Sequence, residues 1–424
     1  MREARVVILS DYVGGGGAAT GGAGHAVQAS YRALRAAGVD VRVIAGFGPV
    51  PPKGSERFMS LGGSDLREKG GVATLASIYN PGAAAALRTA LAGADRARTV
   101  VILHQWTRYL SPAVVRALAG FRLMVYMHEY FWACPNGAYY DFQLAAPCTR
   151  RPMGAACLAA DCDRQGRVHK LGRVLRQAAL LVARIGSADD RLCLHLSERA
   201  RATAAPLLPG EQHAVLYNPG EVGLRPPPTP DNPRYDVGYF GRLEPEKGVT
   251  LLAQAITRGG LSGLLVGEGS LGRVAAGWGG ITYRAWQPRE TMLAAMRRCR
   301  VVVLPSLWHE TWGLIVPEAM AAGVAVLVSS RAGSAELVDR FGGGLVFDPG
   351  VPGDLERKLD IVLNPRPGEC LAPVRDWAGF REALSARRHA QRLIELAAST
   401  WGLDLGGAPG VSAARPVASA ASIA

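Results

Sequence analysis

Two cations and two carboxylates carry the densest chemistry in this chain. Arg242 and Lys247 lie in Phe240-Gly241-Arg242-Leu243-Glu244-Pro245-Glu246-Lys247-Gly248. Held side by side they suit a diphosphate, because an arginine grips phosphate oxygens in a planar fork and a lysine acts as a compact point charge. Glu310 and Glu318 lie in Pro305-Ser306-Leu307-Trp308-His309-Glu310-Thr311-Trp312-Gly313-Leu314-Ile315-Val316-Pro317-Glu318-Ala319-Met320-Ala321-Ala322-Gly323. A carboxylate beside an anion site weakens anion binding, but it makes sense where it accepts hydrogen bonds from sugar or ribose hydroxyls. Taken singly, each of these residues is more often a solvated charge, and Glu318 alone could simply stabilise a helix N-terminus.

The elements that must position them shift that balance. An apolar run at 237–240 reads as a strand ahead of Gly241, which puts Arg242 and Lys247 at its carboxyl end, where open α/β sheets bind ligands. A second run at 301–304 precedes the Glu310 segment. Pro317 fits the first turn of a helix and Gly323 its stop. Amides near Gly313, Leu314 and Ile315 then open that helix and point at an anion.

The same grammar runs along the chain. Strand-like runs at 6–9, 39–44, 100–103, 123–127, 192–196 and 215–217 alternate with helical spacing such as 26–37, and Gly14–Gly17 with Thr20-Gly21-Gly22 form a glycine-rich turn after the first. Asn218-Pro219-Gly220 leads into Arg225-Pro226-Pro227-Pro228-Thr229-Pro230, an extended linker. After it, runs at 237–240, 264–266, 281–283, 301–304, 325–328 and 345–347 restart the alternation. The pattern predicts an α/β protein with two doubly wound parallel sheets flanking a cleft. Residues 377–399 read as a last helix, and the Gly, Ala, Ser and Pro beyond Gly402 as a disordered tail.

Composition bounds the partners. The 424 residues are 49% hydrophobic and 20% charged, with 48 Lys and Arg against 35 Asp and Glu, net +13. That excludes a largely disordered or collagen-like chain and favours an anionic partner: nucleic acid, a phospholipid surface or a phosphorylated substrate. No run approaches the ~18 apolar residues of a membrane span, and 6–9 is too short for a signal-peptide core, so a cytoplasmic protein is expected. Zinc-finger and basic-zipper patterns are absent and the aromatics are not interleaved with basic runs, so nucleic acid is not expected.

These residues resemble the group 1 (family 4-like) retaining nucleotide-sugar glycosyltransferases of GT-B fold, bacterial polysaccharide type. Glu310 and Glu318 form the family's E-x7-E pattern; Gly241-Arg242 with Glu246-Lys247-Gly248 is similar to its donor-phosphate segment. Gly267-Glu268-Gly269 resembles its acidic glycine turn, Gly14–Gly22 its N-terminal glycine loop, and Asn218-Pro219 its interdomain signal. The ordered set covers roughly residues 5–400. The resemblance implies that Arg242 and Lys247 neutralise the leaving diphosphate with no cofactor required. It implies that Glu310 holds hydroxyls of the transferred sugar and Glu318 the ribose, with the Leu314 and Ile315 amides supporting sugar and phosphate. Gly15 and Gly16 would let backbone approach the diphosphate and acceptor. Gly267, Glu268 and Gly313 complete the donor set. His128, after the run at 123–127, resembles the family's cleft-edge His, although His-Asp there is His128-Glu129 here. Implied partners are a UDP- or GDP-sugar and a glycan or lipid-linked acceptor. The domain layout expected is 1–217 with an insert at about 131–165, a linker 218–234, a donor domain 235–376, a helix 377–401 crossing back to the N-terminal domain, and a tail 402–424.

Four of the seven cysteines, Cys134, Cys148, Cys157 and Cys162, fall in that insert. With no C-x2-C pair, a structural zinc, packed free thiols and an oxidised staple all stay open. Residues 164–185 form a helical pattern with Leu171, Val174, Leu175, Ala178, Leu181, Val182 and Ile185 on one face and Lys170, Arg173, Arg176 and Arg184 opposite. One reading turns the apolar face to the core. A sharper one docks the basic face on an anionic membrane surface, which would make the protein peripheral on the inner face of the cytoplasmic membrane. A nucleotide-sugar epimerase of the same fold and a non-catalytic sugar- or anion-binding protein are the alternatives. A Rossmann dehydrogenase is weaker, because Gly14–Gly17 lacks G-x-G-x-x-G spacing.

Overall fold

The computed structural model describes residues 5–13, 21–48, 57–66, 73–186, 188–228, 232–366 and 374–406. Gly15, Gly16 and the chain beyond residue 406 lie outside them. The N-terminal sheet is built from Arg5–Ser10 (β1), Val41–Phe47 (β2), Phe58–Gly63 (β3), Thr99–Leu103 (β4) and Arg122–Met127 (β5). A two-stranded hairpin, Tyr140–Asp141 (β6) with Ala146–Pro147 (β7), interrupts it before Arg191–His195 (β8) and Gln212–Val215 (β9) close the edge. The C-terminal sheet is Tyr235–Phe240 (β10), Gly263–Val266 (β11), Ile281–Arg284 (β12), Cys299–Leu304 (β13), Ala325–Ser329 (β14) and Gly344–Phe347 (β15). The spatial orders are β3-β2-β1-β4-β5-β8-β9 and β12-β11-β10-β13-β14-β15, all parallel. Unbroken apolar runs such as Val100–Leu103 and Val301–Leu304 are buried because helices cover both faces.

Each sheet reverses its winding at its centre, between β1 and β4 and between β10 and β13. At such a point the loops leaving the two strands part in opposite directions and open a crevice. The segments after β10 and β13 are therefore neighbours in space, although distant in sequence. This is the physical reason that Lys247 can meet Glu310.

Several local expectations shift. Phe58–Gly63 is a strand that its two closing glycines hid, and the last N-terminal strand is Gln212–Val215 rather than 215–217. The single helix read at 377–399 is two, Trp377–Ala383 and Ala386–Trp401, each opened by an N-cap: Asp376 accepts from Gly379 N, and Ser385 from Arg388 N. The second packs on the N-terminal helix Gly21–Ala36. There Ser30 Oγ lies 2.9 Å from His389 Nε2, and Trp401 Nε1 donates to the Asp189 carbonyl at 2.9 Å. The start of the expected tail is ordered, since Leu405 is buried.

The largest correction concerns the helix Arg167–Ala183, which sits the other way round. Its cations turn inward. Lys170 is buried, Arg173 Nε pairs with Asp163 at 2.9 Å, Arg176 lies 4.7 Å over the Phe131 ring, and Arg184 pairs with Glu211 and covers the Trp132 ring. The insert supplies acids, carbonyls and aromatic faces that these long stems can reach. The apolar stripe is left facing out, with Val168 82%, Leu171 60%, Val182 64% and Ile185 68% exposed. The basic face is thus not available to lipid headgroups.

Candidate active site

Lys247 closes a short 3-10 turn, Pro245–Lys247, that follows β10. Gly248 then takes φ +73°, and a Cβ there would stand 1.9 Å from the Pro305 carbonyl oxygen. The close approach allowed by that glycine brings the two loops together. Lys247 Nζ donates to Glu310 Oε1 at 2.7 Å and lies 4.8 Å over the Trp308 ring. The Ser306 hydroxyl donates to the other carboxylate oxygen, and Glu310 N donates to the Arg331 carbonyl at 3.0 Å. Burial pushes the Glu310 carboxyl up, but Lys247, Ser306 and Arg242 outweigh it, so it sits below its ordinary range and stays ionised.

Arg242 is exposed at the rim, and its positive charge helps hold Glu310 ionised. Its carbonyl accepts from the Tyr239 hydroxyl at 2.6 Å. Gly267 and Gly269 have no room for a side chain: a Cβ on Gly267 would lie 1.8 Å from Gly241 O. The acidic glycine turn packs flat on the loop after β10, with Leu243 N donating to Glu268 O at 2.8 Å and the Glu268 side chain exposed. Gly313 turns at φ +103° into Leu314 and the helix Ile315–Ala321. In its first turn Glu318 is held by Arg289 Nε at 3.2 Å, and Arg289 also pairs with Glu221 at 2.8 Å. Burial raises the Glu318 carboxyl and Arg289 opposes it.

The N-terminal domain faces this lip. A Cβ on Gly22 would lie 2.6 Å from Leu314 Cδ1, so the described end of the glycine segment touches the start of the helix Ile315–Ala321. His128 follows β5, and its carbonyl accepts from the Thr311 hydroxyl at 2.8 Å, next to Glu310. Its Nε2 lies 2.9 Å from His104 Nδ1, and both rings stack with Tyr126, whose hydroxyl donates to Asn218 Oδ1 at 2.9 Å. Burial pushes the His128 imidazole down to about 3, so it is neutral at physiological pH and bonds as a neutral ring. The structure therefore brings Glu310, Lys247, Arg242 and His128 to one place. Glu318, Leu314 and Ile315 lie beside them, Gly241 adjoins Arg242 at the end of β10, and Gly267 and Glu268 follow β11, one strand further along.

Four contributors escaped the sequence reading. His104 follows β4 as His128 follows β5, a positional signal that could have been seen. Asp11 follows β1 and accepts hydrogen bonds from the amides of Arg108, Tyr109 and Leu110 at 2.7, 2.9 and 2.9 Å, tying the first crevice loop to the loop after β4. Arg289 had no local signal. Nor had Arg164, which reaches from the cysteine insert across to the loop after β10, pairing with Glu244 at 2.8 Å and with buried Glu246. Beside it Tyr140 and Ala138 pack on Trp308. The insert therefore rests on the loop that carries Lys247.

The cysteines do not assemble as a zinc site. Cys134, Cys148, Cys157 and Cys162 are free thiols, and among the described residues no group of three or more His, Cys, Asp or Glu is placed to hold a metal. Lys170 Nζ stands 2.9 Å from Cys162 Sγ and 3.7 Å from Cys157 Sγ, a cation where a metal would have to sit. The oxidised staple is likewise not formed. Asn136 organises the insert instead, donating to the Tyr140 and Cys162 carbonyls at 2.8 and 3.1 Å.

Two parallel doubly wound domains facing across a cleft, with the cation–carboxylate cluster on one lip, define the GT-B class. Residues 224–370 match the family described as glycosyl transferases group 1. It is 27% identical over 176 residues to an uncharacterized glycosyltransferase of Methanocaldococcus jannaschii, covering 40% of this chain and 46% of that protein. The chain thus spans under half the length of that curated relative. Among solved structures it resembles Anabaena HepE in complex with UDP and glucose, with a TM-score of 0.62 and 16% identity over 94% of this chain and 100% of that one. It also resembles the sucrose-phosphate synthase of Thermosynechococcus elongatus, with a TM-score of 0.61 and 18% identity over 95% and 97% of the two chains. At these identities the structural likenesses speak for the fold.

Proposed function

We propose that this protein is a retaining glycosyltransferase that moves a sugar from a UDP- or GDP-sugar to a hydroxyl of a glycan or lipid-linked acceptor in cell-surface polysaccharide or glycolipid synthesis. The observation that carries this reading is the Lys247–Glu310 pair at the adjoining ends of β10 and β13, with Arg242 exposed beside it. Two cations directed at a leaving diphosphate supply electrostatic stabilisation of the charge that builds there, and no cofactor is needed in this scheme. Glu310, fixed by Lys247 and Ser306, accepts from hydroxyls of the transferred sugar. Glu318, oriented by Arg289, accepts from the ribose. The acceptor hydroxyl attacks the anomeric carbon on the face from which the nucleotide departs, and a donor phosphate oxygen takes its proton. His128, neutral and braced by His104, contacts donor sugar or acceptor and is not required as a base. HepE, crystallised with UDP and glucose, supports a uridine nucleotide as the first donor to try.

A thermal-shift panel of UDP- and GDP-sugars tests the donor. The cognate donor at about 100 times its Kd adds ~2.7 kcal/mol to the native state, so its melting temperature rises while other donors leave it unchanged. A flat response across the panel would sink the reading. Release of nucleotide only when acceptor is added separates transfer from epimerisation, since an epimerase returns its product still joined to the nucleotide.

Arg164 gives a second expectation. Its guanidinium holds two carboxylates just before Lys247, one of them almost fully buried. Arg164→Glu places a third carboxylate there, and we expect donor Kd to rise about tenfold, worth ~1.4 kcal/mol. Adding Glu246→Arg should recover most of that loss. Isothermal titration with UDP reads both, and an unchanged Kd in the single variant would show that the insert does not set the phosphate loop.

A further inference from the structure

The helix Arg167–Ala183 shows its apolar side to solvent and its basic side to the protein. Val168, Leu171, Leu175, Ala178, Val182 and Ile185 recur at alternating steps of three and four, so they form one continuous stripe along the outer face. Leu175 is 49% exposed in mid-helix, and Leu158 and Leu144 in the adjoining insert are 49% and 68% exposed. Contiguous apolar surface of this kind on a folded domain marks an interaction site.

Charge decides what it meets. Residues 144–186 hold eight Lys or Arg and two Asp, and the helix itself contains no acid. Arg150, Arg164, Arg173 and Arg184 are paired with acids within the protein, so the cations left at this surface are Arg151 and Arg167, the latter only loosely paired with Asp161 at 3.6 Å. Arg167 at its start is 84% exposed, and Arg151 is exposed as well. Two copies apposed through this stripe would press two such basic segments together. The positions flanking the stripe on one side, Gly172, Ala179 and Gly186, offer no opposite charge to offset that repulsion. An anionic bilayer meets both needs, accepting the stripe among its acyl chains while its headgroups attract the marginal arginines. No described helix is long and apolar enough to cross a membrane, so the helix would lie in the plane of the interface.

We propose that this stripe is a monotopic docking face for an anionic phospholipid bilayer, inserted by its apolar side chains rather than held by Lys170, Arg173 and Arg176, which are spent inside the protein. The insert beneath it reaches the phosphate loop through Arg164, so docking would set the cleft beside a membrane-borne acceptor. The proposal rests on the transferase reading for its purpose and not for its test.

The test is sedimentation with vesicles of phosphatidylcholine, with or without about 30% phosphatidylglycerol. The full chain is expected to pellet with the anionic vesicles at least about tenfold more strongly than with neutral ones, and Leu175→Glu with Val182→Glu to abolish most of that binding. The double variant should keep the wild-type circular dichroism and its response to UDP, which separates failure of docking from failure of the transferase reading. If the double variant does not fold, Leu175→Trp substitutes for it: its emission should shift to the blue on adding anionic vesicles. Equal pelleting of wild type and double variant, equal binding to neutral vesicles, or a tryptophan that does not shift would overturn the proposal. So would a dimer in light scattering that the double variant makes monomeric, which would assign the stripe to a second copy of this chain.

Discussion

Glu310→Gln should lower kcat/KM for sugar transfer by about a thousandfold while moving the melting temperature by no more than a few degrees. The substitution keeps the shape of the side chain and one carbonyl oxygen for Ser306 or Lys247. It removes the charge that fixes Lys247 at 2.7 Å and the second acceptor that a sugar hydroxyl would use. Loss of a preorganised charged group at a reacting centre commonly costs ~3–4 kcal/mol of transition-state stabilisation. Lys247→Ala should reduce transfer comparably but also destabilise the fold by ~3 kcal/mol, because it strands a carboxylate whose side chain is only 13% exposed. Glu310→Gln likewise leaves the Lys247 ammonium, 10% exposed, without its carboxylate, so both variants are expected to lose some stability along with most of their transfer activity. Kinetics with the cognate donor and a calorimetric melt on each protein check this pair, and full transfer by either variant would remove Glu310 and Lys247 from the chemistry.

The second large effect is on stability in mild acid. His104, His128, His195 and His389 are all held below the ordinary imidazole value by burial, His128 and His195 to about 3 and His389 to about 4. Neighbouring imidazoles add to this in two pairs, His104 with His128 and His195 with His213, each joined at 2.9 Å. A lowered folded value means that the unfolded chain binds protons first as pH falls through about 6.5. Stability contributed by the neutral rings is therefore present above pH 6.5 and drains away below it, by ~1.4 kcal/mol per group at pH 5.5. The four together make ~5 kcal/mol, which should lower the melting temperature by about 5–10 °C between pH 7.5 and 5.5. The lowered carboxylates, Glu211 and Glu310 among them, lose their contribution only below their own unfolded range, at more acid pH. Asp11, Glu318 and Glu336, raised by burial, take up protons in the native state first, above the unfolded carboxylate range, and so offset part of the loss from the histidines. A melting curve flat over this window would show that the histidines are not buried as neutral rings. His195→Gln, remote from the candidate site, should remove about a quarter of the slope without touching transfer.

Much of this was legible before any coordinates. Apolar runs of four to six residues between glycine-rich turns read as buried parallel strands because nothing but burial on both faces tolerates them. Gly248, Gly267 and Gly313 punctuate loops that need close backbone approach, so the loops after β10, β11 and β13 were visible as glycine-marked segments around Arg242, Lys247 and Glu310. The hairpin β6–β7, the strand Phe58–Gly63 and the break at Ser385 were not visible. Two-residue strands leave no period, and a capping serine looks like any other until the helix around it is placed.

What the sequence determined by itself is the alternation of elements, the linker and the ordered motifs, since each depends on interactions within a few residues. What only the tertiary structure decided is which partner each long side chain finds. Periodicity defines two faces on the helix Arg167–Ala183 but carries no label for the inner one. Asp163, Glu211 and the Phe131 and Trp132 rings, brought there by the fold of the insert, drew the cations inward and left the leucines outside. Arg164 meets Glu244 and Glu246 only because the two domains face across one cleft, and His128 meets His104 only because β4 and β5 end side by side in one sheet. Hydrogen bonds and ion pairs between distant segments depend on ångström-scale positions that a linear pattern does not encode.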